Sequence, residues 1–269
     1  WRGSCLGWPR SGRDDRMTGR DILIAHVPDL RAGRGPLIGL TALAFFAAAT
    51  AVMVIADQLW LRWSPLGQIA AVIIGFLVAA QFFWRRREYR EKYGALAYRN
   101  AFARFMLPGL PCMFAAIFHN LYLPGERVWS GWLTPLASMI GLYLLVTGLL
   151  LYVRAYIVLG MDNLAMLYVY FPAESRLVNS SIYGVLRHPA YSGAIRMGMA
   201  FGLWRGTWFS VLFGLFMPVG LTLWLRLLEE PELIERFGEG YAEYRRRVPA
   251  FWPRWRDAGK FVRFLFTGG

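Results

Sequence analysis

Long apolar runs constrain this chain more than any other feature. A bilayer core of about 30 Å needs about 20 apolar helical residues. Residues 36–56 and 66–84 each meet that requirement, and Arg85-Arg86-Arg87 ends the second run abruptly. Residues 105–122 form a third run, in which Pro108 and Pro111 predict a kink. Residues 133–159 form a fourth and long one. Residues 191–203 are apolar but reach only about 20 Å as a helix. Residues 208–225 return, with Pro218 and Gly220 inside. Composition agrees: 57% of the 269 residues are hydrophobic and 17% charged, against about 45–50% and about 25% in soluble domains. A water-soluble globule and a disordered chain are both excluded. Two cysteines, Cys5 and Cys112, cannot make a disulfide scaffold. The expected fold is all-α: a polytopic membrane protein with about six transmembrane helices and a cytoplasmic C-terminal helical segment.

The net charge of +13 fits either nucleic-acid binding or a cytoplasmic membrane face rich in Lys and Arg. Distribution decides between them. With the N-terminus inside, 27 of the 30 Lys and Arg residues fall on the inner side, and only Arg62, Arg127 and Arg205 fall outside. Such asymmetry is the positive-inside pattern. It accounts for the charge without nucleic acid and puts both termini in the cytoplasm. Residues 1–16 precede the first methionine, Met17, and are expected to be a non-native or disordered leader. Residues 17–159 are then the N-terminal transmembrane helices, and residues 160–269 a C-terminal module.

Several chemistries find no support in the sequence. No 20–50-residue repeat stands out, and no Gly-rich phosphate loop follows a strand. The three histidines, His26, His119 and His188, lie far apart, and no Cys-x-x-Cys exists. A metal site is therefore not expected, and any nucleotide-like cofactor must bind without a Rossmann unit.

Polar chemistry concentrates in residues 175–193 (SRLVNSSIYGVLRHPAYSG) and 225–253 (LRLLEEPELIERFGEGYAEYRRRVPAFWP). The apolar hairpin between them should return their ends to one place. Arg187-His188-Pro189 and the stretch from Arg226 to Glu230 are thus expected side by side at the membrane surface. On a regular helix Arg226 and Glu230 share a face, so the plainest reading is an ion pair at a helix end, with Glu229 facing elsewhere. Pro189 pushes His188 to an extended backbone and suits the first turn of the next helix. An extended turn leaves peptide groups free for a polar ligand. Tyr183 and Tyr191, read alone, are interfacial aromatics.

Taken together, Tyr183, Arg187-His188-Pro189, Tyr191, Gly193, Arg226, Glu229-Glu230, Leu233, Phe237-Gly238, Tyr241, Tyr244, Val248-Pro249 and Pro253 form a pattern. It resembles the isoprenylcysteine carboxyl methyltransferase family and the wider group of small membrane methyltransferases, phospholipid methyltransferases included. The resemblance covers roughly residues 175–253. It implies S-adenosylmethionine as cofactor, bound by Ser175, Arg176, Leu177, Val178, Tyr183, His188, Pro189, Ala190, Tyr191 and Glu230. It also implies Arg226 beside the acceptor. Family members often carry His where this chain has Ser175.

These residue types suit that cofactor. Glu230 can pair with its ammonium, and His188 with free peptide N–H groups can take its carboxylate. Tyr183 or Tyr191 can stack on adenine or attract the sulfonium. A carboxylate acceptor needs no base, whereas an amine or thiol would make Glu229 or His188 a candidate base. The expected acceptor is a lipid-like or amphiphilic small molecule arriving through the bilayer, among membrane lipids. Two other readings remain open at this point. One is an NADPH-dependent enzyme like the sterol reductases, which share a late Tyr and Val-Pro. The other is a membrane protein without catalysis.

Overall fold

The computed structural model describes residues 18–268; the expected leader at 1–16 lies outside them. The fold is 82% helical, and the described residues form no strand, only an isolated bridge from Arg127 to Thr207. Among the described residues, five helical runs are long and apolar enough to cross a membrane: Gly35–Leu59, Leu61–Trp84, Arg86–His119, Leu133–Leu159 and Trp208–Phe237. The chain is an integral membrane protein.

Within these runs the regular helices are α1 (Gly35–Leu59), α2 (Ser64–Trp84), α3 (Arg86–Tyr93), α4 (Leu107–His119) and α5 (Leu133–Leu159). The hairpin follows as α6 (Pro189–Arg205) and α7 (Trp208–Trp224). After a π turn at Leu225–Glu229 come α8 (Glu230–Phe237), α9 (Glu239–Arg247) and α10 (Ala258–Thr267). Prolines begin several of these helices, where the missing N–H has no partner to lose. Pro36, Pro65, Pro108 and Pro189 sit in first turns. With 17 residues, α6 extends about 26 Å at 1.5 Å per residue, longer than the apolar stretch predicts and short of a full bilayer core.

Small residues let the hairpin dock closely. A Cβ on Gly193 of α6 would stand 2.7 Å from the Gly148 carbonyl of α5 and 2.9 Å from the Tyr152 ring. A Cβ on Gly214 of α7 would stand 3.0 Å from the Gly198 carbonyl of α6. Between apolar helices in lipid, such close backbone approach supplies the dispersion contact that holds them together. At the turn between α6 and α7, Asn120 donates to Gly198 O and Ser210 O, both at 3.1 Å, and so ties the hairpin to the end of α4. Arg205 Nε donates to Leu123 O at 2.7 Å beside it. At the other end of the bundle, an aromatic core of Phe82, Phe83, Tyr98, Tyr170 and Trp224 is packed largely edge to face. This is the basic end, and it carries the site.

Candidate functional site

The hairpin returns its ends to one place. Tyr191, one turn into α6, donates its hydroxyl to Glu229 Oε2 at 2.6 Å, and Trp224 Nε1 donates to the same hydroxyl at 3.1 Å. His188, the residue before Pro189, has its ring Nδ1 3.5 Å from Glu229 Oε1 and its Nε2 3.6 Å from Glu230 Oε1. The Tyr191 ring stacks on the imidazole at 5.8 Å. Arg187 Nε donates to Glu230 Oε1 at 2.9 Å, and Arg245 Nη1 reaches Glu230 Oε2 at 3.4 Å. Glu230 is thus a buried acid among three basic side chains.

The extended turn is used differently from the expectation. The N–H of Arg187 donates to Pro249 O at 3.0 Å, and that of His188 to Ala250 O at 3.1 Å. These donors are therefore not free for a ligand. The Val248-Pro249 stretch takes them, because a buried peptide group needs a partner and a nearby chain supplies one. Arg187 Nη1 adds a bond to Val248 O at 2.6 Å. The return of the chain after α9 thereby locks the turn before α6.

The Arg226–Glu230 ion pair is not formed. The chain there makes a π turn, in which i→i+5 bonding replaces i→i+4 and the two side chains no longer stack. Arg226 is exposed. Glu229, expected to face elsewhere, faces inward to Tyr191 and His188 instead.

A cavity of about 330 Å³ opens beside this network. Of the residues singled out in the sequence, Arg176, Leu177, Val178, Tyr183, Arg187, His188, Pro189, Ala190, Tyr191, Glu229 and Leu233 line it. Ser175, Arg226 and Glu230 do not. The Ser175 hydroxyl donates to Pro172 O at 2.7 Å, and Glu230 stands behind the wall, holding Arg187. Further lining comes from Glu232, Arg236, Phe237, Tyr241 and Tyr244. Tyr241 and Tyr244 belong to the recognised pattern, and a four-residue step links Glu232 to Arg236. From the N-terminal half come Phe83, Leu110 and Phe114, and from α5 Tyr152. Nothing in their local sequence distinguishes these from lipid-facing residues. The cavity therefore has a polar pole of acids, arginines and phenols, and an apolar pole built by α2 and α4.

Electrostatics keep the polar pole poised. Burial alone would lower the His188 pKa, but the carboxylates of Glu229 and Glu230 outweigh it and hold the imidazole above its ordinary value of 6.5. Burial raises the Tyr183 and Tyr241 phenols well beyond their usual range, so both remain neutral hydrogen-bond donors. Tyr244 donates to Tyr183 O at 2.7 Å and fixes α9 to the loop before α6.

Residues 136–240, which include most of α5, the hairpin, the π turn and α8, match the phospholipid methyltransferase family. No curated protein and no solved structure gives a significant match. The matched segment supplies most of the cavity's polar wall, and over that segment the chain is similar to the phospholipid methyltransferase family, integral membrane methyltransferases related to the isoprenylcysteine carboxyl methyltransferases.

Proposed function

We propose that this protein transfers a methyl group from S-adenosylmethionine to an amphiphilic acceptor, at a site on the cytoplasmic side of the membrane. One observation carries the reading: a single cavity joins a charged, phenol-lined pole to an apolar pole reaching in among the membrane helices. The residues present suit the cofactor's chemistry. Glu229 and Glu232 offer carboxylates to its ammonium, and Arg176 and Arg236 offer guanidinium to its carboxylate. Tyr183, Tyr191 and Phe237 give aromatic faces for adenine and for the sulfonium. When bound, S-adenosylmethionine would supply an electrophilic methyl on a sulfonium that departs as a neutral thioether.

The chain's own part is chiefly placement. An in-line displacement at carbon depends on alignment of donor and acceptor, and a rigid wall supplies that alignment. Glu230, bonded to Arg187 and close to His188, acts as a positioning residue for that wall. Glu229 has one carboxylate oxygen on the Tyr191 hydroxyl and the other near His188 Nδ1. This places it to hold an ammonium, or to receive a proton from an amine or thiol acceptor. A prenylcysteine-like carboxylate would not require that step. Phe83, Leu110 and Phe114 would accommodate the acceptor's hydrocarbon part. Arg226, exposed at the same end of the bundle, is available to an anionic head group outside the cavity. The excess of Lys and Arg at this end supports a cytoplasmic orientation, with both termini on that side.

The test is methyl transfer from radiolabelled S-adenosylmethionine into total lipid extract by membranes containing the protein. Label in lipid that is lost with Glu229→Gln supports the proposal. Release of that label as volatile methanol by mild alkali identifies a carboxyl methyl ester, and its persistence in non-volatile products identifies an amine or thiol product. Absence of any transfer, together with consumption of NADPH by the same membranes, would replace the methyltransferase reading with a reductase.

A further inference from the structure

Outside the cavity, α6 carries a buried cation to which no described residue gives a counter-ion. Arg196 is 5% exposed, and no carboxylate among the described residues lies within the 4.0 Å of an ion pair. An arginine stays charged in any protein environment, and a buried charge is costly unless it is paired. Its protein partners are few. Nη1 bonds to Ser192 O at 3.0 Å and to the Ser192 hydroxyl, and that hydroxyl donates in turn to Phe251 O at 2.5 Å. The guanidinium lies over the Trp252 ring at 4.4 Å and near the Phe261 ring of α10 at 5.8 Å. Among the described residues only Nη1 makes a hydrogen bond, so the other arm of the fork has no protein acceptor.

The level of this cation is informative. Helical side chains lean towards the helix N-terminus, and here Arg196 reaches back one turn to Ser192, close to the start of α6. A long basic side chain that lies along apolar surface while its head turns to the interface is the snorkelling geometry. The head therefore turns from the middle of α6 toward the basic end of the bundle. Trp252 above it is 43% exposed, so one side of the sandwich is open. An aromatic floor with a free guanidinium arm suits a phosphate or carboxylate, which takes two parallel N–H bonds.

We infer that Arg196, with Trp252 and Phe261, forms a binding site for the anionic head group of an amphiphile in the leaflet at the basic end, separate from the cavity. Its ligand supplies the missing counter-charge and ties α6 to the C-terminal segment. None of these three residues lines the cavity, so the site is distinct from the proposed methyl-transfer site and does not depend on it.

The test uses the full chain purified in a neutral detergent. Phosphatidylglycerol, phosphatidylcholine and inorganic phosphate are titrated separately, with bound lipid counted by native mass spectrometry and melting followed in parallel. The expected result is preferential retention of phosphatidylglycerol with a raised melting temperature, and an affinity about tenfold weaker in Arg196→Gln, as fits loss of a charge-assisted contact. Arg196→Lys should retain part of the preference. An equal response to inorganic phosphate would still support the site and identify its ligand as a free anion. Should Arg196→Gln not fold, Trp252→Leu keeps the cation and removes the aromatic cover, and it should weaken phosphatidylglycerol binding severalfold. Equal retention of both lipids by the unaltered protein, or an unchanged preference in the variants, would overturn the inference.

Discussion

Replacing Glu230 by alanine should damage the fold before it damages chemistry. The carboxylate is 4% exposed and stands 2.9 Å from Arg187 Nε, 3.4 Å from Arg245 Nη1 and 3.6 Å from His188 Nε2. Removing it strands Arg187, whose side chain is 15% exposed. Breaking a buried ion pair from one side costs about 3–5 kcal/mol. Arg187 keeps its bonds to Val248 O and Arg245 O, which favours the lower end. Arg245 is 44% exposed and adds little, since solvent screens such pairs to about 0–1 kcal/mol. A loss of about 3 kcal/mol corresponds to a melting temperature lower by roughly 6–12 °C for a chain of this size. The assay is thermal melting of the purified protein, followed by tryptophan fluorescence and beginning without cofactor. Glu229→Gln is the control: it should melt within about 2 °C of the unaltered protein, on the same scale of less than 1 kcal/mol, while losing methyl transfer. If Glu230→Ala melts like the unaltered protein, Glu230 is not the strut described here.

Other consequences follow from the same contacts. Gly193→Ala would drive a methyl group to 2.7 Å from the Gly148 carbonyl; the overpacking should cost about 1–3 kcal/mol and appear as a lower melting temperature. Tyr244→Phe removes the bond to Tyr183 O and should cost about 1 kcal/mol, again read by melting. Tyr191→Phe frees Glu229 and leaves Trp224 Nε1 without its partner; methyl transfer should fall about tenfold or more, which corresponds to about 1.4 kcal/mol or more. The raised His188 pKa gives a pH signature. Because the folded-state value lies above the ordinary 6.5, the charged imidazole's contribution is full below 6.5 and is lost as pH rises through the folded value. Melting curves of the unaltered protein and of His188→Asn should therefore converge as pH increases from 6.5 upward; parallel pH dependences would refute this.

The membrane class was legible because hydropathy runs and Lys/Arg asymmetry report on the solvent directly. The meeting of the two polar segments was legible too, since a hairpin has few ways to place its ends. Side-chain direction at the helix end was harder. A regular helix turns Arg226 and Glu230 to one face, and nothing in LRLLEE announces the π turn that brings Glu229 inward and leaves Arg226 exposed. The peptide donors of Arg187 and His188 looked free because their partners, Pro249 and Ala250, lie about sixty residues away. Phe83, Leu110 and Phe114 were invisible for another reason: in a membrane protein, apolar residues face both lipid and cavity, so hydropathy cannot tell a wall from an outer surface.

Photo-cross-linking of labelled S-adenosylmethionine to the purified full chain, with the modified peptides mapped, probes the proposed site most directly. Label confined to residues 176–191 and 229–244, and competed away by unlabelled cofactor, is the predicted result. Saturable label on other segments, or no saturable label at all, would contradict a cofactor seat between the His188-Pro189 turn and the end of the returning helix.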